Sequence, residues 1–330
     1  ARKAENKKAG WKGGFDVVLG NPPWEHIELK EKEWFAQIYP EIAKAAGAKR
    51  KKLIQDLEQS DPELYKQYLN SKRFIDAQTH LIRNTGRYKL TAHGRINSYA
   101  IFAENMREVS NKVGKVGCIL PSGIATDDTT KEFFQDVMQS RALVNLYDFE
   151  NRKAIFPAIH RSYKFCLLTM TGKDRPAKDG SWFAFFLLDV QELKDREKVF
   201  PLSAEDIALI NPNTKTCPIF RTRKDAELTK EIYQRVPVLI KENDPEGNPW
   251  GISFKQGLFN MTSDSGLFRT KDELQDSDWE LRGNVFEKES ERYLPLYEAK
   301  MIHHFDHRWA TYDDKGNTRE PTIEEKKDPN

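Results

Sequence analysis

The sequence predicts an α/β fold, and three observations support that prediction. Apolar runs of strand length recur along the chain; they are Phe15–Gly20, Lys115–Pro121, Ala142–Phe149, Tyr163–Thr171 and Trp182–Val190. Between several of them lie stretches with apolar residues at helical spacing, of which Arg95–Glu108 is the clearest. Hydrophobic residues make up 38% of the 330 residues, which is enough for a substantial core. Strands that alternate with helices are typical of a sheet with helices on its faces.

The composition limits the classes of function. Charged residues make up 32% of the chain, but the formal net charge is only +2, so nucleic-acid binding would need a local basic face. The three cysteines, Cys118, Cys166 and Cys217, are widely spaced, which favours reduced, buried thiols in a cytoplasmic protein over disulfides or a zinc site. No apolar segment reaches transmembrane length, and the lysine-rich start is not a secretory signal, so we expect no membrane association.

The first apolar run leads into the sequence Asn21-Pro22-Pro23-Trp24. We predict that the run is a strand buried on both faces, and ligands in open α/β sheets bind beyond the carboxyl ends of such strands. The prolines stiffen the loop and leave it with carbonyl acceptors, Asn21 adds an amide oxygen, and Trp24 adds a flat apolar face. Two acceptors beside an aromatic face suit a planar ring with an exocyclic amino group. A tight turn with a surface tryptophan is the alternative.

At these residues the sequence resembles a known family. Asp16–Trp24 resembles the catalytic motif of S-adenosylmethionine-dependent amino-methyltransferases, in the branch that acts on adenine N6 in DNA. The rest of the chain, to about Tyr312, resembles the large methylases of type IIG restriction–modification enzymes and of BREX-type phage defence.

The resemblance implies S-adenosylmethionine as the cofactor, double-stranded DNA as the substrate and Asn21, Pro22, Pro23 and Trp24 as the catalytic residues. The target adenine would be rotated out of the duplex. Its amine would then be held by Asn21 and the Pro22 carbonyl. Asn21 and Pro121 would lie near the cofactor. The implied fold is the C-terminal half of a Rossmann-like class I methyltransferase sheet with a helical insertion, followed by a mixed α+β segment that leads to a target-recognition region.

One feature of this family is absent from the sequence. The family binds its cofactor on strands that precede the Asn-Pro-Pro strand, the first of which ends in a glycine-rich turn. No strand followed by Gly-x-Gly and a helix occurs here. We therefore expect a fragment whose partner is the N-terminal half of the same polypeptide. That half would carry the cofactor motif, with or without a fused nuclease, and the chain alone would be inactive.

Residues 1–24 form a basic lead-in, the first strand and its loop, and residues 25–94 are predicted to form a helical insertion. A basic cluster, Lys49-Arg50-Lys51-Lys52, falls on one of the insertion helices. Contact with DNA phosphates is one interpretation of the cluster, and a solvated helix face is the other.

Residues 95–190 supply the remainder of the predicted sheet and its helices. On the helix Arg95–Glu108, Asn97 and Tyr99 match the family pattern, and we expect both to pack in the core. A cap at Asp127 or Asp128 is expected to begin the next helix.

A second aromatic face for the flipped base is expected from the segment around the fourth strand. The run Phe-Pro-x-x-His-x-Ser-x-Lys-Phe resembles the family segment that supplies it, and Phe165 and Tyr163 are the candidates. Two core aromatics are the alternative. The run Trp182–Val190 is predicted to be an edge strand or a hairpin partner.

Residues 191–312 are interpreted as a connector and the start of a target-recognition region, and residues 313–330 as a mobile tail. His303, His304 and His307 lack the glutamate of a hydrolytic zinc helix, so we predict no metal site. Glu192-Leu193-Lys194 offers only half of a nuclease motif, and we reject a nuclease in this chain.

The sequence therefore favours a site-specific, S-adenosylmethionine-dependent adenine-N6 DNA methyltransferase. A methyltransferase acting on a protein glutamine amide is the first alternative, because its substrate also presents an NH2 group. A non-catalytic module for DNA recognition or assembly is the second.

Overall fold

The structure is a computed structural model that describes residues 4–10, 13–177, 180–254, 257, 264–283, 285–296, 298–313 and 318–327. The chain divides into two compact units, Ala1–Ile252 and Ser253–Asn330.

The first unit is built on a six-stranded mixed sheet. Its strands are β1 (Phe15–Gly20), β2 (Ser110–Leu120), β3 (Leu143–Glu150), β4 (Lys164–Thr171), β5 (Ser181–Leu187) and β6 (Phe200–Leu202), in the spatial order β1-β2-β4-β3-β5-β6. The pairs β1–β2 and β3–β5 are parallel, and β4 runs antiparallel to both β2 and β3. The predicted α/β fold is confirmed.

The environment of β1 differs from the prediction. In the described six-stranded sheet, β1 is an outer strand beside β2, and its apolar side chains at alternate positions, Phe15, Val17 and Leu19, are exposed. The intervening Val18 packs against the main core. Because successive side chains of a strand point to opposite faces, one face of β1 is covered and the other is open. The expectation of a strand buried on both faces is wrong.

Four helices form the predicted helical region after β1. They are α1 (Glu31–Phe35), α2 (Pro40–Lys44), α3 (Gly47–Ser60) and α4 (Pro62–Asn84). Their apolar faces form a separate small core, in which Phe35, Ile42, Leu57 and Tyr68 are buried. These helices lie between residues 31 and 84, within the segment 25–94 for which helices are predicted.

Helix α5 (Ser98–Val109) packs on the covered face of the sheet. Tyr99, Ala103 and Met106 on one of its sides join the main core, as predicted for Tyr99. The helix begins later than the predicted Arg95 because Asn97 is its N-cap, with the Oδ1 atom accepting from the Tyr99 backbone N–H at 3.2 Å. Asn97 therefore caps the helix.

Two short helices follow β2, namely α6 (Gly123–Thr126) and α7 (Lys131–Gln139). Neither Asp127 nor Asp128 caps α7, whose N-cap is Thr130 without a side-chain bond. Asp128 instead accepts from Lys131 Nζ at 2.8 Å. The predicted aspartate cap is wrong, because a 3₁₀ turn over Asp128–Thr130 precedes the helix.

For the strand Trp182–Val190 the predicted edge position is wrong, whereas the alternative, an antiparallel partner adjacent in sequence, is found. β5 lies between β3 and β6, and β6 pairs with it antiparallel, with Trp182 opposite Pro201. Two helices with complete capping boxes follow β6, α8 (Ala204–Ile210) at Ser203 and α9 (Arg223–Arg235) at Thr222.

The second unit contains short elements. These are α10 (Lys271–Asp276), a three-stranded antiparallel sheet of β7 (Glu280–Arg282), β8 (Val285–Lys288) and β9 (Glu291–Tyr293), the pair β10 (Thr311–Tyr312) and β11 (Thr318–Arg319), and α11 (Ile323–Lys327). His303 stacks on Trp309 with ring centroids 4.3 Å apart, and Asp306 pairs with Lys326 at 2.8 Å. These contacts give His303 and Asp306 packing roles.

Candidate functional site

The Asn-Pro-Pro-Trp loop leaves the carboxyl end of β1. Asn21 and Pro23 are exposed, Pro22 is buried and Trp24 is half-buried. Among the described residues, neither the Asn21 side chain nor the Pro22 carbonyl has a hydrogen-bond partner. Neither of the two acceptors predicted from the sequence is therefore occupied by another group of the described structure.

Ser98, the first residue of α5, fixes the second half of this loop. Its hydroxyl donates to the Pro23 carbonyl at 2.7 Å and accepts from the Glu25 backbone N–H at 3.0 Å. The Ser98 backbone N–H donates to the Glu25 carbonyl at 2.8 Å, and Ile27 N–H donates to the Ile96 carbonyl at 3.0 Å. Four hydrogen bonds thus fasten the loop to the start of a helix that is itself packed on the sheet.

Trp24 packs at the point where the two hydrophobic clusters of the sheet meet. It contacts the main core on the α5 side and a second cluster formed by Phe149, Phe165, Ala184 and Leu187. Its indole Nε1 is buried and has no partner within the described ranges. Burial of an unpaired N–H is costly, so the atom is suited to a ligand or a water molecule.

The predicted stacking candidates differ in exposure. Phe165 is only 5% exposed and stacks on Phe149 with centroids 5.4 Å apart, whereas Tyr163 is 55% exposed. Phe156, which the sequence interpretation passed over, is 37% exposed and meets Phe165 edge to face at 5.1 Å. Of the three rings Phe149, Phe165 and Phe156, Phe156 is thus the exposed one. The sequence feature that could have identified it is its position before Pro157 in the loop that follows a predicted strand.

Asn151 holds the Phe156 loop and was also missed. It is fully buried, its Nδ2 donates to the carbonyls of Phe156 (3.0 Å) and Ile159 (2.9 Å), and its Oδ1 accepts from the Phe156 N–H at 2.9 Å. Such local bonds from asparagine fix loops in place of secondary structure.

Two cavities flank the Asn-Pro-Pro-Trp loop. The smaller, about 330 Å³, is lined by Asn21 with Leu19, Ile119 and Leu167 on the open side of the sheet. The larger, about 500 Å³, is named here the His26 cavity; its lining includes His26, Asn97, Tyr99, Pro121, Asp127 and Asp148. Asn21 and Pro121, both predicted to be near the cofactor, therefore line different cavities.

Asp148, at the end of β3, is a buried carboxyl on the wall of the His26 cavity. It accepts hydrogen bonds from the Ser122 hydroxyl and, at 3.2 Å, from the Phe186 backbone N–H. Burial nevertheless raises the pKa of Asp148 above its usual range. Glu150, two residues on, is paired with Arg152 at 2.6 Å and Lys164 at 3.2 Å.

The basic cluster on α3 divides into two kinds of residue. Arg50 donates to the carbonyls of Ile42 (3.2 Å) and Ala43 (3.2 Å) and so joins α3 to α2. Lys49, Lys51 and Lys52 are exposed. Arg50 has a packing role, and only the lysines are free to meet phosphate groups.

The cysteines are free and buried, as predicted, and burial raises the pKa of the Cys166 and Cys217 thiols.

In the part of the chain that the structure describes, no cluster of three or more His, Cys, Asp or Glu side chains could hold a metal ion. Within the same ranges, none of the helices combines the length and apolar character that a membrane crossing needs.

Comparison with known proteins gives weak likenesses only. No protein-family model matches the chain, and no curated protein matches it. Among solved structures, it is similar to the type IIG restriction endonuclease BpuSI, with 16% identity over 55% of this chain and 16% of that chain and a TM-score of 0.28. It is also similar to the methyltransferase subunit of a type I restriction–modification system from Streptococcus thermophilus, with 13% identity, 44% and 35% coverage and a TM-score of 0.30.

A third similar structure is a Listeria monocytogenes protein assigned to the class I S-adenosylmethionine-dependent methyltransferases. It shares 10% identity over 52% of this chain and 37% of that chain, with a TM-score of 0.26. The match therefore spans well under half the length of each of these three proteins. TM-scores this low do not by themselves establish a common fold.

Proposed function

We propose that this chain is part of a methyltransferase that transfers a methyl group from S-adenosylmethionine to adenine N6 in double-stranded DNA. The observation that carries the proposal is the state of the Asn-Pro-Pro-Trp loop. The loop is clamped by Ser98, yet the Asn21 side chain and the Pro22 carbonyl remain without partners among the described residues. An NH2 group can bind a fixed pair of acceptors more readily when those acceptors are not already hydrogen-bonded within the protein.

The chemistry follows from those two acceptors. Hydrogen bonds from the amine to Asn21 and Pro22 would draw its lone pair out of conjugation with the ring and aim it at the methyl group. Positioning of this kind supplies much of the acceleration when the electrophile is already activated, as a sulfonium methyl group is. Reaching the amine requires the base to leave the duplex, at a cost of a few kcal/mol.

Stacking on aromatic side chains would recover part of that cost. In this proposal Trp24 supplies one face. The second comes from the aromatic group of Phe156, Phe165 and Tyr163, in which Phe156 and Tyr163 are exposed and Phe156 contacts the buried Phe165. Asn151 keeps the Phe156 backbone in place.

S-adenosylmethionine fits this chain only in part. Asn21, at the mouth of a cavity of about 330 Å³, and Pro121 would face it, but the sequence lacks a glycine-rich turn of the kind that binds its amino-acid end. We propose that the remaining contacts come from the N-terminal half of the methylase, packed along β1. The exposed Val17 and Leu19 on the open face of β1, an outer strand of the described sheet, are suited to packing against a further segment of chain.

DNA contact outside the base pocket is assigned to the insertion. Lys49, Lys51 and Lys52 are exposed on α3 and would contact backbone phosphates, while Arg50 holds α3 against α2. Phosphate contacts of this kind position the protein on the duplex without reading its sequence.

The test is substitution of Asn21 in the full-length enzyme. Asn21→Ala is expected to lower methyl transfer to DNA by at least about 100-fold, because the amine loses its main acceptor. Asn70→Ala, at an exposed asparagine on α4, is the matched control and should leave turnover unchanged. Turnover of Asn21→Ala within a few-fold of the parent would contradict the role of Asn21. Methyl transfer to a protein glutamine rather than to DNA would favour the protein glutamine methyltransferase. The absence of any methyl transfer would favour a non-catalytic module.

A further inference from the structure

The His26 cavity has no role in the transfer step described above. It lies at the carboxyl ends of β2 and β3, beside the start of α5, and encloses about 500 Å³. Ligands of open α/β sheets bind at such ends. The volume is large enough for a nucleobase and its sugar, since ligand pockets start at about 300 Å³.

Several polar groups at this cavity have no partner in the described structure. The Nδ1 atom of His26 is buried and unpaired. Asn97 uses its Oδ1 atom to cap α5, which leaves its Nδ2 donor unused, and the Tyr99 hydroxyl makes no hydrogen bond. Of these groups, His26 Nδ1 is a buried atom of the kind that a ligand or water normally satisfies, whereas Asn97 is half-buried.

Asp127 supplies an acceptor at the same cavity. Its carboxylate folds back over Gly123, where a Cβ atom would lie 2.4 Å from Oδ2, so a larger residue at 123 would push the carboxylate away. Burial, and then the nearby Asp127 carboxylate, raise the pKa of the Tyr99 phenol, which keeps that hydroxyl a donor. Asp127 and Tyr99 therefore form an acceptor and a donor side by side.

The charges around the cavity argue against an anionic ligand. The cations on its wall already have acidic partners: Lys164 pairs with Glu150 at 3.2 Å, Arg95 donates to Glu28 at 2.7 Å, and His93 pairs with Glu132 at 2.8 Å. Asp127 has no basic partner within the described ranges, and its carboxylate would repel a phosphate. A neutral ligand that both donates and accepts hydrogen bonds fits this set better.

We propose that the His26 cavity binds an unstacked nucleobase that carries an exocyclic amine, at a position separate from the base held by Asn21. Asp127 accepts from the amine, while the Tyr99 hydroxyl and Asn97 Nδ2 donate to ring nitrogens. The pocket deepens the proposed function and rests on it for DNA as the source of the base. Its occupant would be an amine-bearing base next to the target adenine.

The test is binding of free nucleosides to the full chain. Calorimetry measures the affinity, and the NMR signals of the His26 ring report whether the nucleoside binds in this cavity. 2′-Deoxyadenosine is expected to bind at least about 10-fold more tightly than thymidine, which lacks the amine and leaves Asp127 unpaired. It should shift the His26 signals, and inorganic phosphate should not. Equal binding of the two nucleosides, or a shift of these signals by phosphate, would overturn the proposal.

Three variants locate the bound nucleoside. Asp127→Asn and Tyr99→Phe should each weaken deoxyadenosine binding about 3- to 10-fold, the effect of one lost hydrogen bond. Asp128→Asn is the matched control, because Asp128 pairs with Lys131 next to the cavity, and it should change binding by less than twofold. If Asp127→Asn has no more effect than Asp128→Asn, the site is wrong. Circular dichroism confirms that each variant is folded.

Asn21→Ala separates this proposal from the proposed function. It should abolish methyl transfer and leave deoxyadenosine binding within twofold. If it removes deoxyadenosine binding instead, the base lies at Asn21 and the second pocket falls, while the methyltransferase assignment stands. If Asp127→Asn weakens binding but the full-length enzyme methylates no DNA, the pocket stands and the assignment falls.

Discussion

The hydroxyl of Ser98 donates to the Pro23 carbonyl at 2.7 Å, and the same oxygen accepts from the Glu25 N–H at 3.0 Å. One side chain at the start of a core helix thus bridges two residues of the loop that carries Asn21. The loop needs such a bridge because its prolines cannot donate backbone hydrogen bonds. The position of the Asn21 amide therefore depends on the position of α5.

Loss of the Ser98 bridge should lower the turnover of the full-length enzyme. For Ser98→Ala we expect kcat to fall about 10-fold with KM for DNA little changed, because small displacements at a reacting centre cost rate. Ser98→Thr, which keeps the hydroxyl, should restore most of the rate. Ser110→Ala is the control, since Ser110 at the far end of α5 donates only to the Arg107 carbonyl. A loss in KM alone would contradict the positioning role.

Removal of the Asn151 side chain should destabilise the fold. Asn151 is fully buried and makes three hydrogen bonds to the loop around Phe156. For Asn151→Ala we expect the free energy of unfolding to fall by about 2–3 kcal/mol, because two carbonyls and one N–H lose their partner. Urea denaturation measures this loss. Asn84→Ala, at an exposed asparagine with bonds within α4, should cost less than about 0.5 kcal/mol.

The buried carboxyl of Asp148 should make stability fall with rising pH. Its pKa is raised in the folded state, chiefly by burial, so the folded protein binds this proton more tightly than the unfolded chain. Its contribution to stability is therefore greatest below the ordinary aspartate pKa and is lost as the pH rises through the folded-state pKa. We expect the stability advantage of the parent over Asp148→Asn in urea titrations to shrink as the pH rises above the ordinary aspartate pKa of about 4. An advantage that grows with pH would show that the folded-state pKa is lowered.

Substitutions on β1 should separate its two faces. Leu19 is 77% exposed, so Leu19→Lys should change the stability of this chain by less than about 0.5 kcal/mol. Val18 packs against the main core, and Val18→Lys should cost more than about 2 kcal/mol. In the full-length enzyme, Leu19→Lys should become destabilising, because we propose that the N-terminal half covers this face. An unchanged melting temperature of the full-length Leu19→Lys variant would contradict that proposal.

The thiols should be unreactive in the folded chain. Cys118, Cys166 and Cys217 are all buried, and burial raises the pKa of each, to about 12 for Cys118. Iodoacetamide reacts with thiolates, so at pH 8 we expect no alkylation of the native protein and complete alkylation in urea. Mass spectrometry counts the modified residues, and rapid native labelling of Cys166 would contradict its burial.

The strands could be predicted from the sequence because each is a local apolar run, and the structure places five of the six within a few residues of their predicted bounds. The sixth, β6, contains Pro201 and only three residues, too few to show a period. The open face of β1 could not be predicted, since Phe15, Val17 and Leu19 form the same pattern whether or not a neighbour covers them. The burial of a strand depends on what packs against it, so it cannot be predicted from the residues of the strand alone.

The candidate site shows a similar division. Asn21, Pro22 and Trp24 stand together in the sequence, and their chemistry could be inferred from residue types alone. Ser98 is 75 residues from Pro23, and a serine at the start of a helix has ordinary local roles, so nothing nearby marked it as a partner of the loop. Strand alternation pointed to Phe165 and Tyr163 and left Phe156 out, because alternation predicts which face a ring takes but not how far another ring covers it.

The most direct test of the account is the identity of the methylated product. Full-length enzyme is incubated with double-stranded DNA and S-adenosylmethionine tritiated at the methyl group, and the DNA is digested to nucleosides. We predict that the label elutes as N6-methyldeoxyadenosine and that Asn21→Ala abolishes it. Label found only in protein, or in no product with folded, cofactor-bound enzyme, would contradict adenine methylation.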